Sequence, residues 1–257
     1  MEARDNEYSF QSRVRFSEID HTEKITLPGI INYFQDCSTF QSESLGLGVD
    51  YFARHGKAWV LSAWQVEVER YPRLGEEIGI HTWATGFKGF LGDRNFCMTD
   101  GEGKILACAN SIWSYMDMKK GRPVRPLADE VEAYGTGRPL DMEYADRKIG
   151  LPEGFVECSS FPVRKYHIDT NEHVNNCQYV QMALEAVEKE LNVHQVRVEY
   201  KHSAVYNERL RVEYKKSAVC GDIIVPHVAR EEDRMVVSLQ DREGTPFAVV
   251  EFREKKK

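Results

Sequence analysis

The feature that most limits what this chain can fold into is an internal repetition. Ile19-Asp20 recurs as Ile168-Asp169, 149 positions later. At that offset Ile25 falls on Val174, Ile30 on Tyr179 and Asp36 on Glu185. Further on the offset becomes 132, placing Val66-Glu67 on Val198-Glu199 and Ile78 on Leu210. At Asp100 and Asp241 it is 141, and both open an Asp-x-x-Gly run. Shared order over so much of the chain predicts one unit present twice. Each copy reads as a strand, a long helix and four or more strands. A single helix with a strongly antiparallel sheet places the fold in the α+β class.

In the first copy Tyr8, Phe10, Val14 and Phe16 share one parity and predict a strand. Thr26 can cap a helix that carries Pro28 in its first turn and stops near Gly46. Strands are expected at 58–69, 77–85, 94–99 and 104–116, with Asp100-Gly101 as a turn between the last two. Residues 121–157 are rich in Pro, Gly and charge and read as a connector with a short helix at 128–133. The expected domains are therefore 1–120, a connector at 121–157, and 158–257. Strands of the second copy are expected at 195–200, 209–215, 235–240 and 247–253.

Between strand and helix of the second copy lies a dense polar run, Asp169-Thr170-Asn171-Glu172-His173-Val174-Asn175-Asn176. Val180, Leu184, Val187 and Leu191 then form an apolar helical stripe, with Asn175 or Asn176 as its N-cap. If the polar run is extended, Asp169, Asn171 and His173 project together, because strand side chains repeat every two residues. An acid, an amide and an imidazole then sit before the positive end of a helix, which suits an anion or a polarised carbonyl. The alternative is a plain cap with a surface histidine. The copies differ where chemistry would sit. His173 faces Lys24, Asn171 faces Thr22 and Asn175 faces Thr26, while the Asp is kept. The expectation is a C-terminal copy that holds reactive groups and an N-terminal copy that supplies shape.

A net charge of −7 disfavours nucleic acid as a partner. No apolar run approaches the ~20 residues that cross a bilayer. The six cysteines show no tight ligand spacing and the histidines do not cluster with them, so no metal site is indicated. The acidic start lacks a signal-like apolar region, and a reduced, cytoplasmic chain is expected.

Asp169-x-Asn171-x-His173-Val174-Asn175-Asn176-x-x-Tyr179, followed by Glu185, resembles the fatty acyl–acyl-carrier-protein thioesterases of bacteria and plants. Arg15-Phe16-x-Glu18-Ile19-Asp20 and Trp59-Val60-Leu61 add support. The resemblance implies two tandem hot-dog units, each a sheet wrapped around a central helix. It implies hydrolysis of fatty acyl thioesters without metal or organic cofactor. The implied partner is an acyl carrier protein bearing its acyl chain on phosphopantetheine, and the implied state is a monomer with an internal pseudo-dimer, or a homodimer. Family members commonly read Tyr-Arg-Arg-Glu-Cys downstream, where this chain has Tyr200-Lys201-His202-Ser203-Ala204. Ala204 excludes a cysteine nucleophile there, Ser203 takes the place of the acid, and Glu185 is one replacement for it.

On this reading His173 is the general base or orients the water, because an imidazole is the side chain suited to taking a proton near neutral pH. Asp169 orients His173 or fixes the loop backbone. Asn171 aligns water or carbonyl, and N–H groups near Asn176 and Cys177 meet the oxyanion. Cys177 itself reads as packing. Ile30, Phe34, Cys37 and the strand from Trp59 line an acyl tunnel or are ordinary core. Lys119, Lys120, Arg122 and Arg125, with Arg164 and Lys165, are candidates for docking an acidic carrier. The alternatives are an acyl-CoA thioesterase, a hot-dog dehydratase, or a non-catalytic acyl-binding hot-dog protein.

Overall fold

The computed structural model describes residues 6–201 and 217–255. It divides into two compact units, the first ending at Ala145 and the second beginning at Asp146, with Ser62–Gln65 counted in the second.

The first unit contains β1 (Tyr8–Arg13), a 3-10 turn at Phe16–Glu18, α1 (Leu27–Ser44), α2 (Val49–His55), β2 (Lys57–Val68), β3 (Glu77–Lys88), β4 (Leu91–Asp100), β5 (Ile105–Asp117), β6 (Arg122–Pro123) and α3 (Ala128–Tyr134). Its sheet runs β1-β3-β4-β5-β2, with β6 on β5. The β1–β3, β3–β4 and β4–β5 pairs are antiparallel. Thr26 caps α1, its side chain accepting the Gly29 N–H at 3.1 Å. The helix buries Ile30, Ile31, Phe34 and Cys37 completely against the sheet, and Phe34 meets Phe96 of β4 with ring centroids 5.3 Å apart. These residues are packed core. The chain leaves α1 through Gly46, whose φ of 70° suits a residue without Cβ. α2 escaped the sequence reading because its seven residues are too short for a period to register.

The second unit contains β7 (Val156–Glu157), β8 (Phe161–Pro162), a 3-10 turn at Lys165–His167, α4 (Asn176–Ala186), β9 (Val193–Tyr200), β10 (Ile223–Arg230), β11 (Met235–Gln240) and β12 (Pro246–Glu254). Its order is β9-β12-β11-β10-β7, with β8 also on β10. Matching β9 to β2, β12 to β5, β11 to β4, β10 to β3 and β7/β8 to β1 reproduces the order of the first unit. The duplication read from sequence is thus a duplication of topology, and the fold is α+β with two hot-dog units.

Three expectations are corrected. Ile78 corresponds to Ile224, not Leu210, since Ser12 pairs with Ile78 as Phe161 pairs with Ile224. β10 was missed because a neighbouring segment, 209–215, carries the stronger strand pattern; that segment lies outside the described residues. The apolar stripe of α4 stops early: Val187 is the C-cap, in extended conformation, and Leu191 lies beyond the helix. The charged run at 188–190 is exposed, and Asn192 N–H and Lys189 Nζ bind Glu254 as the chain turns into β9.

The stretch between the sheets is ordered against one unit or the other. Arg94 hydrogen-bonds Gln41 of α1, so its neighbour Asn95 faces the opposite side of the sheet. There Asn95 Oδ1 accepts from Leu140 N–H at 2.9 Å and Tyr144 Oη at 3.1 Å, and Trp83 Nε1 donates to Arg138 O at 2.9 Å. In the second unit Ile149 packs on Val236 and Val249. α3 occupies the place expected for a helix at 128–133. Among the described residues no helix is long and apolar enough to cross a membrane.

Candidate active site

The polar run folds as a tight turn rather than a strand. Ile168 and Val174 form a β-bridge. Inside it, Asp169 N–H donates to His173 O at 2.9 Å and Glu172 N–H to Asp169 O at 3.1 Å. Asp169 Oδ1 accepts the Asn171 N–H at 2.8 Å, and Glu172 sits at φ 61°. The side chains at 169, 171 and 173 therefore do not line one strand face. Asn171 is exposed, while Asp169 and His173 are half-buried.

The first unit has the same turn. Asp20 N–H donates to Lys24 O and Glu23 N–H to Asp20 O. Asp20 Oδ1 accepts the Thr22 N–H at 2.7 Å, and Glu23 sits at φ 62°. The shared Asp thus closes the same Asx turn in both copies. Of the two roles considered for Asp169, holding the loop backbone is the one the geometry displays. Among the described residues no hydrogen bond joins its carboxylate to the His173 ring.

Asn175 is the N-cap of α4: its Oδ1 accepts the Cys177 N–H at 2.9 Å. The Cys177 N–H is therefore committed to the cap and is withdrawn as an oxyanion donor. Cys177 is fully buried, and burial pushes its thiol up to about 12, so it packs and does not attack. Two tyrosines brace the start of the helix. Tyr200 Oη donates to Asn176 O at 2.9 Å, and Tyr179 Oη accepts the Ala218 N–H at 3.0 Å. Ala218 O in turn accepts the Val174 N–H at 2.8 Å.

Glu185 is exposed on α4 and accepts from Gln181 Nε2 at 2.9 Å. Its charge acts on the ring of His167. Asp169, Asn171 and His173 share one turn; Glu185 lies further along the helix, and Ser203 lies outside the described residues. His167 was missed by the sequence reading. It is buried, its Nδ1 accepts the Arg164 N–H at 2.9 Å, and its carbonyl accepts the Asn175 N–H at 2.9 Å. The signal available was its place, 149 positions after Glu18.

The model of the acyl-ACP thioesterase N-terminal domain matches residues 5–134, and that of the C-terminal domain matches residues 154–247. The chain belongs to the acyl-ACP thioesterase family. It is 29% identical over 196 residues to a chloroplastic palmitoyl-acyl carrier protein thioesterase of Cuphea hookeriana, covering 69% of this chain and 46% of that protein. An oleoyl-acyl carrier protein thioesterase of Coriandrum sativum is 25% identical over 263 residues, 94% of this chain and 68% of that one. The chain spans about half the length of most curated relatives it matches. Among solved structures, an acyl-ACP thioesterase from Bacteroides thetaiotaomicron superposes with TM-score 0.81 at 19% identity, over 96% of this chain and 97% of that one. A 12:0-ACP thioesterase from Umbellularia californica gives 0.75 at 16% identity, over 98% of each. At these identities the structural likeness establishes the fold.

Proposed function

We propose that the chain hydrolyses fatty acyl thioesters carried on an acyl carrier protein, releasing free fatty acid and the carrier thiol. The observation that carries this reading is a half-buried imidazole, His173, held in a braced turn at the N-terminal end of α4 in a chain of this family. In the proposed step a water oxygen adds to the thioester carbonyl carbon while His173 takes its proton. The carbonyl electrons move onto oxygen. They return as the C–S bond breaks, and the sulfur leaves as the thiol with the proton from His173. The exposed Asn171 amide aligns the water or the carbonyl, and Asp169 keeps the turn that presents both. The N-terminal unit, with Thr22 and Lys24 in its turn, supplies shape for the acyl chain.

The carrier is acidic, as such carriers typically are, and the proposed docking groups are the exposed Lys119, Lys120, Arg122 and Arg125, with Arg164 and Lys165. A cytoplasmic setting belongs to the same proposal. The test is release of free thiol from a panel of acyl-carrier thioesters, with acyl-CoA as competing substrate and His173→Ala alongside. Carrier thioesters should turn over fastest, and the variant should lose at least about 10²-fold in rate. Acyl binding without thiol release would replace the enzyme reading by a binding module. Undiminished release by the variant would remove His173 from the chemistry.

A further inference from the structure

His167 and Glu18 occupy equivalent places and perform one backbone task with different chemistry. Glu18 Oε2 accepts the Arg15 N–H at 2.9 Å, and its carbonyl accepts the Thr26 N–H at 2.9 Å. His167 Nδ1 accepts the Arg164 N–H, and its carbonyl accepts the Asn175 N–H, also at 2.9 Å each. A carboxylate accepts at any pH near neutrality. An imidazole accepts at Nδ1 only while that nitrogen keeps its lone pair, with the proton on Nε2. A second proton turns the acceptor into a donor aimed at another donor. The bonds from residue 167 and the bridge between Ile168 and Val174 close the base of the turn that carries His173.

We propose that His167 is a positioning residue that holds the His173 turn in place only while its ring is neutral. The groups facing the ring are Arg164 from its own turn, the edge-on ring of Tyr166 at 4.1 Å, and Glu185 from α4. Burial lowers the pKa of His167, Glu185 opposes that, and Arg164 adds to it. The sign follows. The unfolded chain binds the proton more readily, so the stabilisation is complete above the unfolded value near ~6.5 and is lost as the pH falls through the lower folded value.

The activity arm of the test rests on the thioesterase reading; the stability arm does not. His167→Gln offers an acceptor that does not titrate. On lowering the pH from 7 to 5, the thermal midpoint of the wild-type chain should drop at least about 3 °C more than that of His167→Gln. The acid limb of kcat/KM should be steeper in the wild type, and His167→Gln at pH 8 should lose less than tenfold. Equal acid limbs and equal pH dependence of the midpoint would overturn the proposal. A chain inactive on every thioester would sink the function reading and leave the stability arm standing.

A second observation stands apart from the site. Residues 196–205 read Val-Arg-Val-Glu-Tyr-Lys-His-Ser-Ala-Val, and residues 210–219 read Leu-Arg-Val-Glu-Tyr-Lys-Lys-Ser-Ala-Val, identical at eight of ten positions and 14 residues apart. The described residues contain the same interval. Glu69 N–H donates to Leu106 O as Lys201 N–H donates to Phe247 O, an offset of 132 (201 − 69). Ile25 N–H donates to Pro72 O as Val174 N–H donates to Ala218 O, an offset of 146 (218 − 72). The second unit is therefore longer by 14 residues (146 − 132) between these points, the length of the repeat.

The contacts of Arg197, Val198, Glu199 and Tyr200 in β9 come from residue types present in both copies. Val198 is buried opposite Val250, and Arg197 pairs with Glu251 at 3.2 Å. Glu199 Oε2 accepts the Ile149 N–H at 3.0 Å, and Tyr200 reaches Asn176 O. The matching residues of the second copy are Val212, Arg211, Glu213 and Tyr214. We infer that either copy can serve as β9, the 14 extra residues falling after the strand in one arrangement and before it in the other. The first copy is favoured, because exchange would put Asn207 for the buried Val193 and the larger Leu210 for the fully buried Val196.

The test is Val198→Asp, Val212→Asp and the double variant, followed by circular dichroism and thermal unfolding. Exchange requires that each single variant folds, Val198→Asp with the lower midpoint, and that the double variant does not. Deleting residues 196–209 leaves one copy at the spacing of the first unit and should also fold. A Val198→Asp chain as unfolded as the double variant, or a double variant that folds, overturns the inference.

Discussion

Glu251 should be among the most destabilising single positions in the second unit to neutralise. Its side chain is fully buried on β12. Arg234 Nη1 donates to its Oε2 at 2.7 Å, and Arg197 Nη1 and Arg253 Nε reach its Oε1 at 3.2 Å and 3.1 Å. Burial alone would raise its pKa; the hydrogen bond from Arg234 and the charges of Arg197 and Arg253 more than reverse this. Glu251→Gln keeps the shape but leaves three guanidinium groups around a neutral amide whose NH2 opposes a donor. Removing one partner of a buried ion pair costs about 3–5 kcal/mol. Arg253 is a third exposed and partly screened by water, so the lower end applies. At about 2–4 °C per kcal/mol the midpoint should fall by roughly 6–12 °C. The carboxylate has a lowered folded pKa, so its contribution is present above the unfolded value near 4.5 and lost as the pH falls through the folded one. Calorimetric unfolding of both proteins should show the full gap at pH 7 and a narrowing gap below pH ~4.5. A midpoint change under about 2 °C at pH 7, or a gap that widens in acid, would refute the reasoning.

Asp169→Asn keeps an acceptor for the Asn171 N–H and should unfold within about 1 kcal/mol of wild type, whereas Asp169→Ala should lose about 1–3 kcal/mol by urea titration. Equal losses would show that charge, not the turn, matters. Tyr200→Phe removes the bond to Asn176 O and should cost about 0.5–1.5 kcal/mol in the same assay. Cys177→Ser should lose stability, since it puts a hydroxyl where a fully buried thiol packs, yet keep kcat within tenfold of wild type; loss of turnover with the fold intact would reinstate the thiol.

Much of the fold was legible because the strands of a hot-dog unit alternate and its helix keeps a clean apolar face. The strands expected at 77–85 and 94–99 are β3 and β4 with longer ends, that expected at 104–116 is β5 displaced by one residue, and Asp100 makes the expected turn by accepting the N–H groups of Glu102 and Lys104. The turn at 169–173 was harder to read. Alternating polar residues have strand periodicity, and only the pairing of Asp169 N–H with His173 O shows that the chain doubles back. β10 was hidden for another reason: a second copy of the β9 sequence stood where the next strand was sought. His167 was passed over because its one signal is positional, 149 residues after Glu18, and an imidazole in place of a carboxylate looks like any surface histidine until its backbone partners are known.

The two turns together separate scaffold from chemistry. Asp20 and Asp169 accept the same backbone N–H, and Glu23 and Glu172 share the same left-handed conformation. A non-glycine residue held there costs about 1–2 kcal/mol, and the cost appears in both units. A strain present in both copies, only one of which carries an imidazole after it, belongs to the geometry of entering the helix rather than to catalysis. The difference that matters chemically is then small. His173 replaces Lys24 in a turn whose shape is already set, and Asn171 replaces Thr22 beside it. Grafting His and Asn onto the first turn as Lys24→His with Thr22→Asn should therefore preserve the hydrogen bonds donated by its backbone, though the bond from Thr22 Oγ1 to Asp20 is lost. It should not create a second active turn where His173→Ala has removed the first, because Glu18 and Thr26 still stand where the second unit has His167 and Asn175. Thiol release by such a triple variant, at a rate approaching wild type, would mean that the turn alone suffices.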